Sequence, residues 1–120
     1  MYSAKADLTC QRIDIIANQA LSTDDFNKWI EQIKQQANDL KHGWIAAVDL
    51  RGMWVEDPFF NENVKGLQDT LLSSGAGRIG TLLDNRAVHM QLGQAGIKTR
   101  SNAITRRFYN EQEWESFLKI

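Results

Sequence analysis

The stretch AAVDLRGMWVEDPFF, residues 46–60, decides how this chain folds. Its first residues belong to a short and almost wholly apolar run, WIAAVDL at 44–50, which is typical of a central strand covered on both faces. Pro58 suits the first turn of a helix, because its fixed φ matches the helical value there. The stretch therefore predicts a buried strand that leads, through a short loop, into a helix.

Helices and strands are expected to alternate around this stretch. Ser22 begins a first helix as an N-cap, with Gly43 expected to close it. The buried stripe of that helix is expected to comprise Phe26, Trp29, Ile30, Ile33, Ala37 and Leu40. The later elements are a second helix from about Pro58 to 73–77, a strand at 78–83, a helix capped by Asp84 and ended by Gly96, a strand at 103–109, and a last helix capped by Asn110.

The N-terminal residues alternate between apolar and polar in two opposite phases, which change near Gln11. A change of phase indicates a bulge or a turn, so we expect two paired strands or one bent strand. Cys10 then falls within a strand, where a buried and unreactive thiol is expected. The full order is β-β-α-β-α-β-α-β-α. It predicts a single α/β domain over 1–120, with a mixed, mostly parallel sheet of about five strands and about four helices.

The composition and net charge argue against several classes of protein, among them nucleic-acid-binding, disulfide-bonded and membrane-spanning proteins. The chain has 120 residues, 42% hydrophobic and 24% charged, which is the balance of an ordinary soluble globular protein. A net charge of −1 provides no global field for nucleic acid. The single cysteine excludes an intrachain disulfide, and no apolar run approaches the ~20 residues of a membrane span. We expect a cytoplasmic protein with no cofactor, no metal and no integral membrane segment.

Polar residues stand at the predicted carboxyl ends of two strands. Asp49 and Arg51 follow one strand, and Asp84 and Arg86 follow another. Ligands of open α/β sheets tend to bind at this edge, and Asp57 approaches it from the start of the next helix. The alternative is structural, because an aspartate before a helix is commonly a cap and an arginine beside an aspartate is commonly an ion pair.

The element order and the segment VDLRGMWVEDPF resemble the STAS domain, of the SpoIIAA type of anti-sigma-factor antagonist. In that family the central strand ends in a pattern like V-D-L-S-G-V, which Val48–Gly52 matches with arginine in the serine position. The family's D-S-S motif falls on Asp57, Pro58 and Phe59, so the phosphorylated hydroxyl is missing. The resemblance therefore implies the STAS fold without kinase control at this site. The chain also resembles STAS-like proteins that are grouped with Sec14-type lipid-binding folds, which implies a binding module.

Neither histidine indicates catalysis. His42 precedes Gly43 at a predicted helix end, and His89 adjoins no recognisable nucleophile in the sequence. The predicted function is a non-enzymatic regulatory module that binds an unknown protein partner, a second copy of the chain included. The alternatives are a small apolar-ligand or lipid binder, or a weak enzyme that uses the strand-end residues. The expected interaction or ligand surface comprises Asp49, Arg51, Trp54, Asp57, Phe59, Phe60, Asp84 and Arg86.

Overall fold

A computed structural model describes residues 2–19, 21–53 and 60–119, without the side chains of residues 60 and 61. The strands are β1 (Tyr2–Asp7), β2 (Arg12–Ala17), β3 (Trp44–Asp49), β4 (Ala76–Leu82) and β5 (Thr105–Phe108). The helices are α1 (Thr23–Ala37), α2 (Phe60–Ser73), α3 (Arg86–Thr99) and α4 (Glu111–Leu118), and a short 3-10 turn occupies Ser101–Ala103. Within the described residues, the predicted α/β class and element order are confirmed.

The five strands form one sheet in the order β1-β2-β3-β4-β5. β1 is antiparallel to β2, whereas β2, β3, β4 and β5 run parallel to one another. β3 therefore occupies the centre, with a parallel neighbour on each side. The mixed, mostly parallel sheet and the central position of the 44–50 run are confirmed.

The change of phase near Gln11 is a turn between two paired strands. Tyr2 pairs with Ala17 at one end of the hairpin and Asp7 pairs with Arg12 at the other, and Gln11 adopts a positive φ of 53°. The prediction for Cys10 is wrong, because this residue lies exposed in the turn. Its backbone amide donates to the Asp7 carboxylate at 3.2 Å, so a local side-chain contact forms the turn in place of strand pairing.

Three helices cover one face of the sheet and one helix covers the other. Each crossover moves one strand further in the same direction, and right-handed crossovers of that kind place their helices on the same face. The larger core lies there and includes Ile13, Ile15, Trp29, Ile33 and Val48. On the opposite face, a smaller cluster joins Ala47, Leu82, Trp114 and Leu118. The core is therefore divided by the sheet into two unequal layers.

Two of the three predicted helix N-caps, Ser22 and Asn110, are confirmed. The Asp25 amide donates to Ser22 Oγ at 3.1 Å at the start of α1. Asn110 Oδ1 accepts from the amides of Gln112 and Glu113, at 2.8 and 3.1 Å, at the start of α4. Both signals depend only on residues a few positions apart, so they can be read from the sequence.

The predicted ends of α1 and α3 are wrong. α1 ends at Ala37, and Gly43, with φ of +94°, instead belongs to the turn before β3. Its amide donates to the Gly75 carbonyl at 2.7 Å, so the glycine serves a contact between two loops. α3 continues past Gly96 to Thr99, and its C-cap, Arg100, has a positive φ of 67°.

The start of α3 and the bounds of two strands also differ from the prediction. Asn85 caps α3, not Asp84, because Asn85 Oδ1 accepts from the amides two and three residues on. β4 begins two residues before the predicted position, at Ala76, and ends at Leu82. β5 is shorter than predicted, Thr105–Phe108, because Ala103 ends the 3-10 turn and Ile104 is the C-cap of that turn. The predicted start of the second helix near Pro58 lies outside the described residues.

Replacing Leu118 by alanine is expected to lower the free energy of unfolding by about 2–5 kcal/mol, because it leaves a cavity beneath α4. Urea denaturation followed by tryptophan fluorescence measures this loss. Lys119→Ala, which alters an exposed neighbour, is the control and should change stability by less than about 0.5 kcal/mol. Equal losses in the two variants would contradict the packing of α4 against the sheet.

Candidate functional site

The carboxyl ends of β3, β4 and β5 bring together five residues that we call the strand-end rim: Asp49, Arg51, Gly52, Asp84 and Glu111. The backbone holds these strand ends in register, because the Leu50 amide donates to the Leu82 carbonyl at 3.0 Å. The rim is therefore built by neighbouring strands, as the parallel sheet requires.

Asp49 and Arg51 form a two-point ion pair within the rim. Arg51 Nε donates to Asp49 Oδ1 at 3.0 Å, and Arg51 Nη2 donates to Asp49 Oδ2 at 2.7 Å. The Arg51 backbone amide also donates to Asp49 Oδ1, at 3.1 Å. The hydrogen bond to Asp49 raises the pKa of Arg51 above its ordinary value. This carboxylate therefore has three donors from one residue, which fixes the turn that leaves β3.

Asp84 holds the backbone of the same turn. Both of its carboxylate oxygens accept from the Gly52 amide, at 3.2 and 3.1 Å. Gly52 has a φ of +90°, and a Cβ atom there would lie 2.8 Å from the Asn18 carbonyl oxygen. Two separate constraints therefore require glycine at position 52: the positive φ of the backbone and the close approach of the Asn18 carbonyl group.

The structure brings together three of the eight predicted surface residues, Asp49, Arg51 and Asp84. Arg86 is exposed at the first position of α3. Phe60 is the first residue of α2, and its side chain lies outside the description. Trp54, Asp57 and Phe59 lie outside the described residues, so their part in the surface stays a prediction.

A second group of polar residues lies where α3 packs on β5 and was not expected from the sequence. His89 Nδ1 is 2.9 Å from the Tyr109 hydroxyl oxygen, with ring centroids 5.6 Å apart. Burial lowers the pKa of His89 below its ordinary value of 6.5, and the positive charge of Arg107 lowers this pKa further. Tyr109 ends the predicted strand 103–109, and its place at the carboxyl end of a parallel strand was a signal that it lies at the edge of the sheet where α3 also begins.

His42 lies at the opposite end of the sheet. It is exposed in the turn before β3, and its ring lies against Gly75, where an added Cβ atom would be 3.0 Å from His42 Nδ1. α1 ends five residues earlier, at Ala37, so the expected position of His42 at a helix end is wrong.

No group of three or more His, Cys, Asp or Glu side chains in the described part of the chain is placed to hold a metal ion. None of the helices described is both long enough and apolar enough to cross a bilayer. Comparison with protein-family models, curated proteins and solved structures finds no match.

Replacing Gly52 by alanine is expected to destabilise the fold more than replacing Gly43 by alanine. Both glycines have a φ near +90°, so each substitution costs about 1–2 kcal/mol of backbone strain. Only the alanine at 52 also clashes with a backbone carbonyl, whereas the space around Gly43 is open. Urea denaturation of the two variants measures the difference. Equal losses would show that Asn18 does not approach Gly52 closely.

The stability of the fold is expected to decrease as the pH falls below 6.5, in part because of His89. Its folded-state pKa lies below the ordinary value of 6.5, so the unfolded chain binds more protons in this range. This contribution to stability is complete above the unfolded pKa and is lost as the pH falls through the folded pKa. Unfolding of wild type and His89→Gln should be measured above and below pH 6.5, and the decrease should be smaller in His89→Gln.

Proposed function

We propose that this chain is a non-enzymatic, STAS-like regulatory module that binds a protein partner through the surface around 51–60. The STAS-like pattern Val48–Gly52 ends the central strand of the sheet and continues into the strand-end rim. The rim thus provides a fixed base for the segment that follows. In the resembled family, the corresponding segment lies where phosphorylation controls partner binding.

The observation that carries this proposal is the pairing of the rim carboxylates. Asp49 is bound by the side chain and amide of Arg51, and Asp84 is bound by the amide of Gly52. Both acids therefore position the turn after β3. A general acid or base needs a carboxylate that can reach a substrate proton, whereas these two are engaged by donors of the chain itself.

The sequence of the 51–60 segment favours constitutive binding over phosphorylation control. Pro58 and Phe59 stand where the resembled family has its phosphorylated motif, and neither carries a hydroxyl group. Phe59 and Phe60 offer apolar area, and burying one such ring against a partner contributes about 1.5–3 kcal/mol. A partner would accordingly be recognised by an apolar contact beside the ion pair of Arg51.

The structure gives less support to the alternatives. The cavity between the sheet and helices α2 and α3 measures about 10 Å³, so a lipid chain does not fit at that position, and an apolar ligand would have to bind in a hollow that is open at the surface. A weak enzyme would use Asp49, Arg51, Asp84 and Arg86, of which the first three are engaged within the turn.

Arg106 and Arg107 point to opposite faces of β5, as neighbours in a strand do, and so do not form one basic patch for nucleic acid.

Replacing Phe59 or Phe60 by aspartate is expected to abolish capture of the partner in at least one variant that remains folded. The tagged chain would be used as bait in a cell extract, and each bound protein would be identified and then tested as a purified pair. Ile97→Asp is the matched control, because Ile97 is a large apolar residue that is 73% exposed on α3. Capture should survive in this control.

The same variants test whether the partner is a second copy of the chain. If light scattering shows a dimer for wild type and Ile97→Asp but a monomer for the phenylalanine variants, the surface joins two copies. If both phenylalanine variants fold and keep every partner, the proposed surface is wrong.

A further inference from the structure

β5 forms one edge of the sheet, and its outer side is open among the residues that the structure describes. The carbonyl groups of Ile104 and Phe108 accept from β4, so the backbone groups of these residues face β4. Backbone groups alternate from side to side along a strand, so the N–H and C=O groups of Thr105 and Arg107 point away from the sheet. No described residue forms a hydrogen bond with them. The edge can therefore pair with another strand.

The opposite edge of the sheet, β1, is closed by α1. The Ala6 amide donates to Gln36 Oε1 at 2.7 Å, and Trp29 Nε1 donates to the Ser3 carbonyl at 2.9 Å. Side chains of a covering helix thus occupy backbone groups of β1, which is one of the ways in which proteins protect a sheet edge. The described part of the chain shows no such contact at β5. The two edges therefore differ, and β5 is the edge that is left for a partner.

The β5 edge carries a positive charge on each side of the sheet. Arg106 is exposed on the side of α4, and Arg107 is half-buried on the side of α3. No carboxylate of the described residues forms an ion pair with either guanidinium group. A flat surface can meet only one side of the sheet, whereas a strand directs its side chains alternately to both sides. Two adjacent acidic residues of an added strand would therefore lie on the same sides as the two arginines.

An open hollow of about 580 Å³ adjoins β5 on the side of α4. Its lining includes Arg106, Phe108 and Phe117, and the two phenylalanine rings have centroids 5.4 Å apart. Both rings are half-buried, so part of their apolar surface remains in contact with water. Glu113 also lines the hollow and would repel an acidic side chain placed deep within it. The hollow therefore favours an apolar side chain opposite Phe108, next to an acidic one opposite Arg106.

The same arginines disfavour a second copy of the chain as the added strand. In a symmetric antiparallel pair of two β5 strands, residues that face each other lie on the same side of the sheet. Such a pair would oppose Arg106 to Arg106, or Arg107 to Arg107, and like charges directly opposite each other are destabilising. The charge of the edge therefore selects a strand that is acidic where β5 is basic.

We propose that the β5 edge binds an extended segment of a partner protein, which has adjacent acidic residues opposite Arg106 and Arg107 and an apolar residue opposite Phe108. Main-chain hydrogen bonds to Thr105 and Arg107 attach the segment, and the arginines and the hollow select its side chains. This surface is separate from the 51–60 segment, so the proposal does not rest on the proposed function of that segment.

Titration of the full chain with a short peptide, followed by NMR, tests the proposal. The probe is acetylated and amidated Thr-Val-Glu-Glu-Val-Thr, whose sequence reads the same in both directions and so suits a parallel or an antiparallel strand. The amide protons of Thr105 and Arg107 should move downfield and exchange more slowly with water, because they gain hydrogen bonds. The amides of Arg106 and Phe108, which face β4, should change less.

Charge reversal at the edge gives the matched comparison. Arg106→Glu should weaken binding of the glutamate peptide about tenfold, because an attraction between cross-strand neighbours becomes a repulsion. The lysine peptide Thr-Val-Lys-Lys-Val-Thr should bind this variant more tightly than it binds wild type. Lys28→Glu, which makes the same change of charge at an exposed position of α1, is the control and should bind the glutamate peptide like wild type.

Absence of the amide shifts at millimolar glutamate peptide would overturn the proposal, as would equal binding of this peptide by Arg106→Glu and wild type. Shifts of the Thr105 and Arg107 amides that depend on protein concentration, without peptide, would show that a second copy covers the edge instead. If Arg106→Glu does not fold, the comparison of the two peptides on wild type decides the question, because equal binding of both peptides overturns the proposal.

Discussion

The burial of both faces of β3 is the constraint on which the rest of the structure depends. This strand has parallel neighbours on each side, and its side chains enter the larger core on one face and the smaller cluster on the other. Ala46 and Ala47 are small enough for helices to pack closely against both faces. The strand can therefore carry a charged side chain only where it leaves the sheet, at Asp49, and this determines where the rim forms.

The face of the sheet that lies away from α1, α2 and α3 is covered by one short helix, α4. α4 is held by an apolar contact and by one buried hydrogen bond, in which Trp114 Nε1 donates to the Gly80 carbonyl at 2.8 Å. Gly80 permits this approach, because a Cβ atom there would lie 2.9 Å from Leu118. The same packing places Glu111, at the start of α4, 3.9 Å from Arg51. The helix thus links the smaller core to the rim.

The charges of the strand-end rim and of Arg107, on β5, are satisfied in different ways. In the rim, Asp49 and Arg51 neutralise each other at the surface, where such pairs contribute little to stability and serve mainly to fix a turn. Beneath α3, Arg107 donates to two neutral groups, the Leu92 carbonyl and Asn102 Oδ1, and its charge lowers the pKa of the neighbouring His89. The arrangement in the rim fits a rigid base for the proposed binding segment.

The sequence by itself determined the order of the elements, the central strand and the caps at Ser22 and Asn110. These features follow from periodicity and from contacts between residues a few positions apart. Only the tertiary structure decided that Asp84 binds the Gly52 amide, that Cys10 lies in a turn, and that His89 meets Tyr109 beside Arg107. Such contacts join residues of different elements, so they depend on strand order and register, which no local pattern specifies.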